Sequence, residues 1–323
     1  MIMLIVFRAI SGIGGGGIMT SAMIVTSDVV SLEKRGFYQG MLGGVVALAN
    51  SLGPLVGGAF SEKVSWRWCF YINIPLSSIA ILVVAFVLPF KKVTGNMREK
   101  LAKIDYVGCF LMFTSAILIL LALSWGGTSY AWSSAGSIAP LVVGAALAVV
   151  FITVELKFAA LPLIPMHIFK IPTVAGANIG AFFTGFMFYC NLYYLPQFYQ
   201  VTVTSFTAGV LVSKTGNYQL NLWVGFAIWT IALGLLSTIS PTISDAKLVG
   251  YQILNGIGAG QTFQTSLIAI QASVKRNEMA VATSTRNFLR LLGGTIALAA
   301  CAAILNNTTK YVVQLVDLHA YLY

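Results

Sequence analysis

Residues 136–154 read GSIAPLVVGAALAVVFITV, a run of 19 positions without a charged side chain. An α-helix needs about 20 apolar residues to cross the roughly 30 Å hydrocarbon core of a bilayer. Runs of this kind recur along the chain, and we place nine, at 2–27, 36–60, 66–89, 104–124, 136–157, 172–200, 220–240, 248–272 and 279–304. The sequence therefore predicts an all-α, polytopic bundle of transmembrane helices.

The composition indicates that lipid covers most of the surface. Of the 323 residues, 58% are hydrophobic and 9% are charged, whereas a soluble domain carries about 25% charged residues. A soluble protein with several buried helices would need polar faces between its apolar ones, and this sequence has almost none.

The basic residues do not form a patch that could bind nucleic acid, although the net charge is +10. They are spread over short loops, and basic loops mark the cytoplasmic side of a membrane. On this rule 28–35 and 90–103 lie inside and 126–136 lies outside. The expected partner of these charges is the bilayer, and no nucleic acid is expected.

The alternation of inside and outside loops breaks after the span 172–200. Continuing it would place Lys214 and the pair Lys275-Arg276 outside. One more helix between about 201 and 213 would return all three to the cytoplasm, but residues 201–212 are too few and too polar to cross. We therefore expect that one helix is missing here.

No enzymatic, metal or cofactor site is indicated. The four cysteines lie in apolar runs without a C-x-x-C pair, which argues against a disulfide framework and a zinc site. The glycines of residues 12–17 lie inside an apolar run and lack the Lys-Ser/Thr of a nucleotide-binding loop.

An internal repeat links the first and eighth spans. The segment 8–16, RAISGIGGG, aligns with 252–260, QILNGIGAG, at a constant offset of 244. Duplicated helix bundles are a common design of secondary transporters. The alternative is that Gly-x-Gly recurs by chance in glycine-rich helices.

Several motifs carry a resemblance to one family. The segments RGFYQG (35–40) and LGPLVGG (52–58) resemble the G-P-x-x-G-G region of major facilitator antiporters, and Arg8 with Gly12 and Gly14 resembles their R-x-x-x-G-x-G motif. SWRWCFYINIP (65–75) and TRNFLRLLGG (285–294) are similar to segments of the fungal fourteen-span drug:proton antiporters.

The resemblance implies a division of the chain and several absences. Residues 1–89 correspond to the remainder of an N-terminal bundle (spans 4–6), 90–171 to two linker helices with cytoplasmic loops, and 172–323 to a C-terminal bundle. About nine of fourteen spans remain. The first three helices and the tenth are expected to be absent, and the last is reduced to 317–323.

Arg8 is the candidate for proton coupling, because the resemblance gives this arginine that role. Gly12, one turn beyond it, would let another helix approach and leave the guanidinium near a cavity or a carboxylate. The alternative is a structural arginine that pairs with carbonyls or reaches the interface.

Gly53, Pro54, Gly57 and Gly58 form the candidate gating motif. Proline breaks the helical hydrogen-bond ladder, and glycines leave a thin face for close packing. The motif serves either to control which side of the protein opens or simply to pack helices, and the two readings are compatible.

The candidates for the substrate cavity are polar or aromatic residues within spans: Arg290, Asn191, Tyr194, Gln261 and Gln264. They either bind substrate or tie helices together. Arg286 and Arg290 share a helical face. Both could line the cavity and meet an anionic group, or could reach the cytoplasmic interface. For Arg286 we favour the interface, and for Arg290 both readings stay open.

The nine acidic residues all lie at span ends or in loops. A proton-driven exchanger would take its carboxylate from an absent helix, or use Asp28 or Glu155 near a cavity mouth. The resemblance implies proton-coupled efflux of small hydrophobic compounds such as drugs, toxins or secondary metabolites. It places the protein in the plasma membrane, with the vacuolar membrane as an alternative. The competing hypothesis is a truncated, non-transporting remnant of such a transporter.

Overall fold

The computed structural model describes residues 2–87, 104–127, 129–158, 162–194, 218–240, 243–276 and 278–321. These ranges hold ten α-helices: α1 (Ile2–Val29), α2 (Leu32–Lys63), α3 (Trp68–Tyr71), α4 (Asn73–Val87), α5 (Tyr106–Trp125), α6 (Ala135–Lys157), α7 (Pro172–Tyr194), α8 (Tyr218–Leu236), α9 (Asp245–Ser273) and α10 (Met279–Tyr321). A 3₁₀ helix, Met166–Lys170, precedes α7. The all-α prediction is confirmed.

Eight helical segments in the described ranges are long and apolar enough to cross a membrane. The short α3 and α4 count together as one of them, Trp68–Val87. The segment predicted as the eighth span, 248–272, also forms a helix, α9, but it is not among the eight. Its glutamine, asparagine and threonine side chains lower its hydropathy, and a helix surrounded by other helices has no need of an apolar surface.

The bundle is organised around α9 and α10. The helix α7 packs along α10, α8 packs along α9, and α5 packs along α6. The helix α9 also contacts α2, α7 and α10, while α10 contacts α1 and α5. The core of this region is an aromatic cluster of Phe188, Trp229, Ala259 and Phe263, contributed by α7, α8 and α9.

The N-terminal helices bury far less. The helices α3 and α4 have no buried residue, and Met23 is the one buried residue of α1 among those whose burial is described. On α2 the buried residues gather on one face, Arg35, Gln39, Gly40, Gly43 and Gly44, and this helix packs on α9.

Two glycines let α7 and α10 come into backbone contact. A Cβ atom at Gly293 would collide with the backbone carbonyl of Phe182, and one at Gly185 would collide with that of Arg290. Helix association in lipid depends on such close packing, because the apolar solvent supplies no hydrophobic driving force.

The last part of the chain differs from the sequence expectation. We expected a loop after residue 304 and a short final helix at 317–323, whereas α10 runs for 43 residues without interruption to Tyr321. Residues 295–321 contain neither glycine nor proline, so nothing in the sequence ends the helix. The hydroxyls of Thr308 and Thr309 donate to the carbonyls of Ile304 and Leu305, as helix-compatible threonines do.

The helix expected to be missing near 201–213 falls in residues 195–217, outside the described ranges. The division of the chain at residues 89 and 171 stays a prediction.

Candidate functional site

The interior of the bundle is polar along α9. Five of its polar side chains are buried: Asn255, Thr262, Thr265, Ser266 and Gln271. In a hydrocarbon solvent a polar side chain is stable only when protein, water or ligand satisfies it. Their concentration on one helix therefore locates a polar path through the bundle.

Hydrogen bonds join this helix to its neighbours. Asn221 Nδ2 on α8 donates to Thr265 Oγ1 at 2.9 Å, and Asn191 Nδ2 on α7 donates to Asn255 Oδ1 at 3.4 Å. The second bond leaves Asn255 Nδ2 buried without a partner among the described residues. Part of the hydrogen-bonding capacity of the path is thus unused within this part of the chain.

Arg286 lies inside the bundle, and the expectation that it reaches the cytoplasmic interface is wrong. Its exposed fraction is 0%. Its Nη2 donates to the Phe263 carbonyl and, at 2.7 Å, to Ser266 Oγ, while Nη1 donates to Asn287 Oδ1 at 3.2 Å. Two of these acceptors belong to α9 and one to α10, and they hold the guanidinium inside because it would lose three partners by leaving.

Arg290 lies one turn further along α10 with an exposed fraction of 1%. Its Cζ lies 4.4 Å from the centre of the Phe263 ring, a cation–π contact. Its Nη2 donates to the Met19 thioether at 3.8 Å, and sulfur is a weak acceptor. The guanidinium of Arg290 therefore has weaker hydrogen-bond acceptors than that of Arg286.

The two arginines lie where N-terminal and C-terminal helices meet. Met19 is on α1, Phe263 on α9 and Arg290 on α10. Close by, Asn287 Nδ2 donates to Met23 Sδ at 3.3 Å, and Gln39 Nε2 donates to the Met23 carbonyl at 3.5 Å. Polar groups of α1, α2, α9 and α10 thereby converge at one place.

Three of the five predicted cavity residues lie on this polar interior. Arg290 and Asn191 are buried, and Gln261 is half-buried with its Oε1 enclosed and unpaired among the described atoms. The helices α7 and α9 carry Tyr194 and Gln264, whose side chains lie outside the described part. That any of the five binds substrate stays a prediction.

Arg8 and the proline motif lie apart from this interior. Arg8 is exposed on α1, eleven residues before Met19, or about 16 Å along the helix. No described atom lies within 4 Å of a Cβ built at Gly12, Gly53 or Gly58, and Gly57 meets only Cys69 Sγ at 4.0 Å. Any helix that packs against these glycines is not among the described elements.

The carboxylates near the ends of α5 and α6 hold the local structure. Glu155 Oε1 accepts from the Leu163 amide at 3.1 Å and Oε2 from that of Ile164 at 3.4 Å. Asp105 Oδ1 caps α5 by accepting from Gly108 N at 2.8 Å. The side chain of Asp28, the other acid considered for proton coupling, lies outside the described part.

A cleft of about 450 Å³ lies between α5, α6, α7 and α10, and neither Arg286 nor Arg290 lines it. Its walls are almost wholly apolar and include Met112, Phe151, Phe169, Phe182, Phe288 and Leu292. It has no charged residue among its lining groups. A cleft of this kind accommodates apolar chains but offers nothing to orient a polar ligand.

Sequence reasoning gave no site role to Phe263, Ser266 or Gln39, and for Arg286 it favoured the interface over the cavity. Gln39 belongs to the RGFYQG segment used for the family resemblance, which was the available signal. Phe263 and Ser266 carried no signal, because their role depends on which face of α9 meets α10.

Eight apolar helices and an arginine-bearing polar interior define an integral, polytopic α-helical membrane protein. The family model of the Major Facilitator Superfamily matches residues 1–298. The chain belongs to this superfamily, in agreement with the resemblance found in its motifs.

The similar curated proteins are fungal transporters. The chain is 37% identical over 328 residues to "Efflux pump dotC" of Dothistroma septosporum, covering 95% of this chain and 57% of that protein. It is 38% identical over 326 residues to "MFS-type transporter ppz2" of Metarhizium majus (94% and 56%). It is 36% identical over 340 residues to "Citrate exporter 1" of Yarrowia lipolytica (99% and 50%). The chain spans about half the length of these relatives.

Proposed function

We propose that the protein exports small hydrophobic molecules across a membrane in exchange for protons. The supporting observation is the buried polar interior at Arg286 and Arg290, where helices from the two ends of the chain meet. In secondary transporters the substrate site lies near the middle of the bilayer between two halves of the molecule. The relatives named as efflux pumps and as an exporter support the outward direction.

Proton coupling is the finer part of the proposal. It assigns Arg8 to the coupling step and the motif Gly53-Pro54-Leu55-Val56-Gly57-Gly58 to the control of opening. An arginine within an apolar span is costly and is normally retained for function. The exposed glycine face of α1 and α2 provides surfaces against which a second helix can pack and slide.

Transport is tested with the purified full chain in liposomes that carry a pH gradient. Movement of cationic, neutral and anionic fluorescent dyes is followed, with protein-free liposomes and a protonophore as controls. We expect gradient-dependent movement of at least one dye, and Arg8→Gln to uncouple it from the gradient. If a folded, correctly inserted protein moves no dye, the proposal fails and the non-transporting remnant is supported.

The membrane of residence is proposed to be the plasma membrane. A fluorescent fusion expressed in a fungal cell tests this placement, and fluorescence confined to the vacuolar membrane would contradict it.

A further inference from the structure

Arg286 and Arg290 have no negatively charged partner among the side chains that the structure describes. No carboxylate whose side chain is described lies within 4 Å of either guanidinium of Arg286 and Arg290. The Nε atoms of both are buried and without an acceptor in the same part of the chain. Two adjacent arginines are thus enclosed in the bundle with unused donors.

This arrangement is unfavourable unless an anion joins it. Guanidinium groups stay protonated in proteins, so they cannot escape burial by losing their charge. The effective penalty for burying such an ion is several kcal/mol, and residues four apart on a helix face each other at about 5–6 Å between Cβ atoms, so the two charges repel. A negatively charged group at this position would relieve both costs.

The two arginines are not equivalent toward such a group. Arg286 is held by the Phe263 carbonyl, Ser266 and Asn287, so its position is fixed. Arg290 contacts an aromatic face and a thioether, with Tyr189 close by, and the first two give way to a stronger acceptor. The planar fork of an arginine matches a carboxylate with two parallel hydrogen bonds.

The surroundings define the rest of the ligand. Phe263 lies beside Arg290, and Phe188 packs against Phe263 with 5.2 Å between ring centroids. Met19 closes the α1 side. Aromatic rings and a polarisable thioether favour an apolar body beside the carboxylate, so the surroundings of Arg290 combine one cationic contact for an anion with apolar side chains.

We propose that Arg290, positioned beside Arg286, binds the carboxylate of an amphiphilic organic acid, and that hydrophobic organic anions are the substrate class of this protein. The claim that these anions are transported rests on the proposed function, whereas the claim that they bind at Arg290 does not. The occupant is identified by its chemistry: one carboxylate joined to an aromatic or aliphatic body.

The test compares three probes of matched shape on the purified full chain in detergent or lipid nanodiscs. They are 2-naphthoate, the neutral 2-naphthamide and the cationic 2-naphthylmethylammonium, measured by titration calorimetry. We expect the wild-type protein to prefer the anion, and Arg290→Gln to lower its affinity by about tenfold or more while leaving that of the amide unchanged. Arg290→Lys keeps the charge but loses the fork, and should restore only part of the affinity.

The matched control is Arg67→Gln, which removes an exposed arginine stacked 4.9 Å from the Trp66 ring centre. It should leave binding of all three probes unchanged. Equal affinities of the wild-type protein for the three probes, or no binding of 2-naphthoate, would overturn the proposal. So would an equal loss of anion and amide binding in Arg290→Gln, which would indicate a structural arginine paired with a carboxylate elsewhere in the protein.

The probe comparison in the wild-type protein decides the question even if an arginine variant does not fold. Binding is measured without a gradient and without transport, so the failure of one proposal is distinct from that of the other. Preference for the anion without dye movement would leave this site in place and refute transport. Dye movement with no preference for the anion would support transport and refute the binding of a carboxylate at Arg290.

Discussion

The segments 8–16 and 252–260 carry the same glycine pattern in opposite surroundings. On α1, no described atom lies within 4 Å of a Cβ built at Gly12 or Gly14. On α9, a Cβ at Gly258 would lie 2.5–2.7 Å from Cβ, Cα and N of Trp229. Gly258 corresponds to Gly14 at the offset of 244. The comparison teaches that the pattern confers the capacity for close helix packing, and that the neighbour decides whether it is used.

The largest expected effect on stability comes from an alanine at the corresponding glycines, Gly258 and Gly14. Gly258→Ala forces α8 and α9 apart and should destabilise the bundle by more than about 3 kcal/mol or prevent folding, because the added Cβ meets backbone atoms. Gly14→Ala meets open space and should leave stability unchanged or slightly raised, because alanine favours helix. Thermal unfolding followed by fluorescence-detected size exclusion compares the two variants. Equal losses would mean that α1 is as closely packed as α9.

The partner of Gly258 provides the next test. Trp229→Ala removes a side chain with an exposed fraction of 1% from the aromatic cluster and should cost about 3 kcal/mol. Trp223 lies on the same helix with an exposed fraction of 72%, so Trp223→Ala should change stability little. The same unfolding assay applies. A large loss in Trp223→Ala would show that burial in this bundle does not govern stability.

Cysteine oxidation tests the close packing of α7 on α10, in contrast to the sparsely packed N-terminal helices. Cys190 Sγ on α7 and Cys301 Sγ on α10 lie 3.0 Å apart, about 1 Å beyond a disulfide bond. Mild oxidation should join them within one chain and raise the unfolding temperature by a few degrees. Mass spectrometry of unreduced peptides identifies the link. Cys69 and Cys109 serve as internal controls, and a predominant link through either would contradict the packing of α7 on α10.

The smallest effect concerns the polar member of the repeat. Asn255, hydrogen-bonded to Asn191, corresponds to Ser11 on α1 at the same offset. A double-mutant cycle with Asn191→Ala and Asn255→Ala should give a coupling of about 0.6 kcal/mol, the average for hydrogen bonds between membrane helices. Ser11→Ala should leave the stability unchanged in the same unfolding assay. A coupling near zero would mean that the two asparagines interact with other groups.

Apolar runs predicted most of the architecture, because length and the absence of charge are local properties of the sequence. The helix α9 shows the limit of this reasoning. Its polar side chains, Asn255 and Gln271 among them, keep it out of the eight apolar segments. Its central place follows only from contacts with α2, α7, α8 and α10. The same reason explains the error at Arg286. Its sequence position suggested the interface, while two of the acceptors that hold it inside belong to α9, about 20 residues earlier.

The residues of the candidate site also fall into those that the sequence predicts and those that it does not. Arg290, Asn191 and Gln261 were predicted because a polar residue in an apolar run is conspicuous by itself. Phe263 was not, since one phenylalanine among 20 stands out only when a guanidinium is found above its ring. Pairs of residues from distant helices define the chemistry, and no single run of sequence contains them.

The unbroken α10 has a mechanical consequence. Its 43 residues make a rod of about 65 Å, roughly twice the thickness of the hydrocarbon core. Turning a straight rod of this kind by about 10° around Arg290 displaces its end at Tyr321 by about 8 Å. Arg290 divides the helix into a short arm that begins at Met279 and a long arm that ends at Tyr321. A spectroscopic label near residue 321 would therefore amplify small rearrangements of the interior into a readable distance.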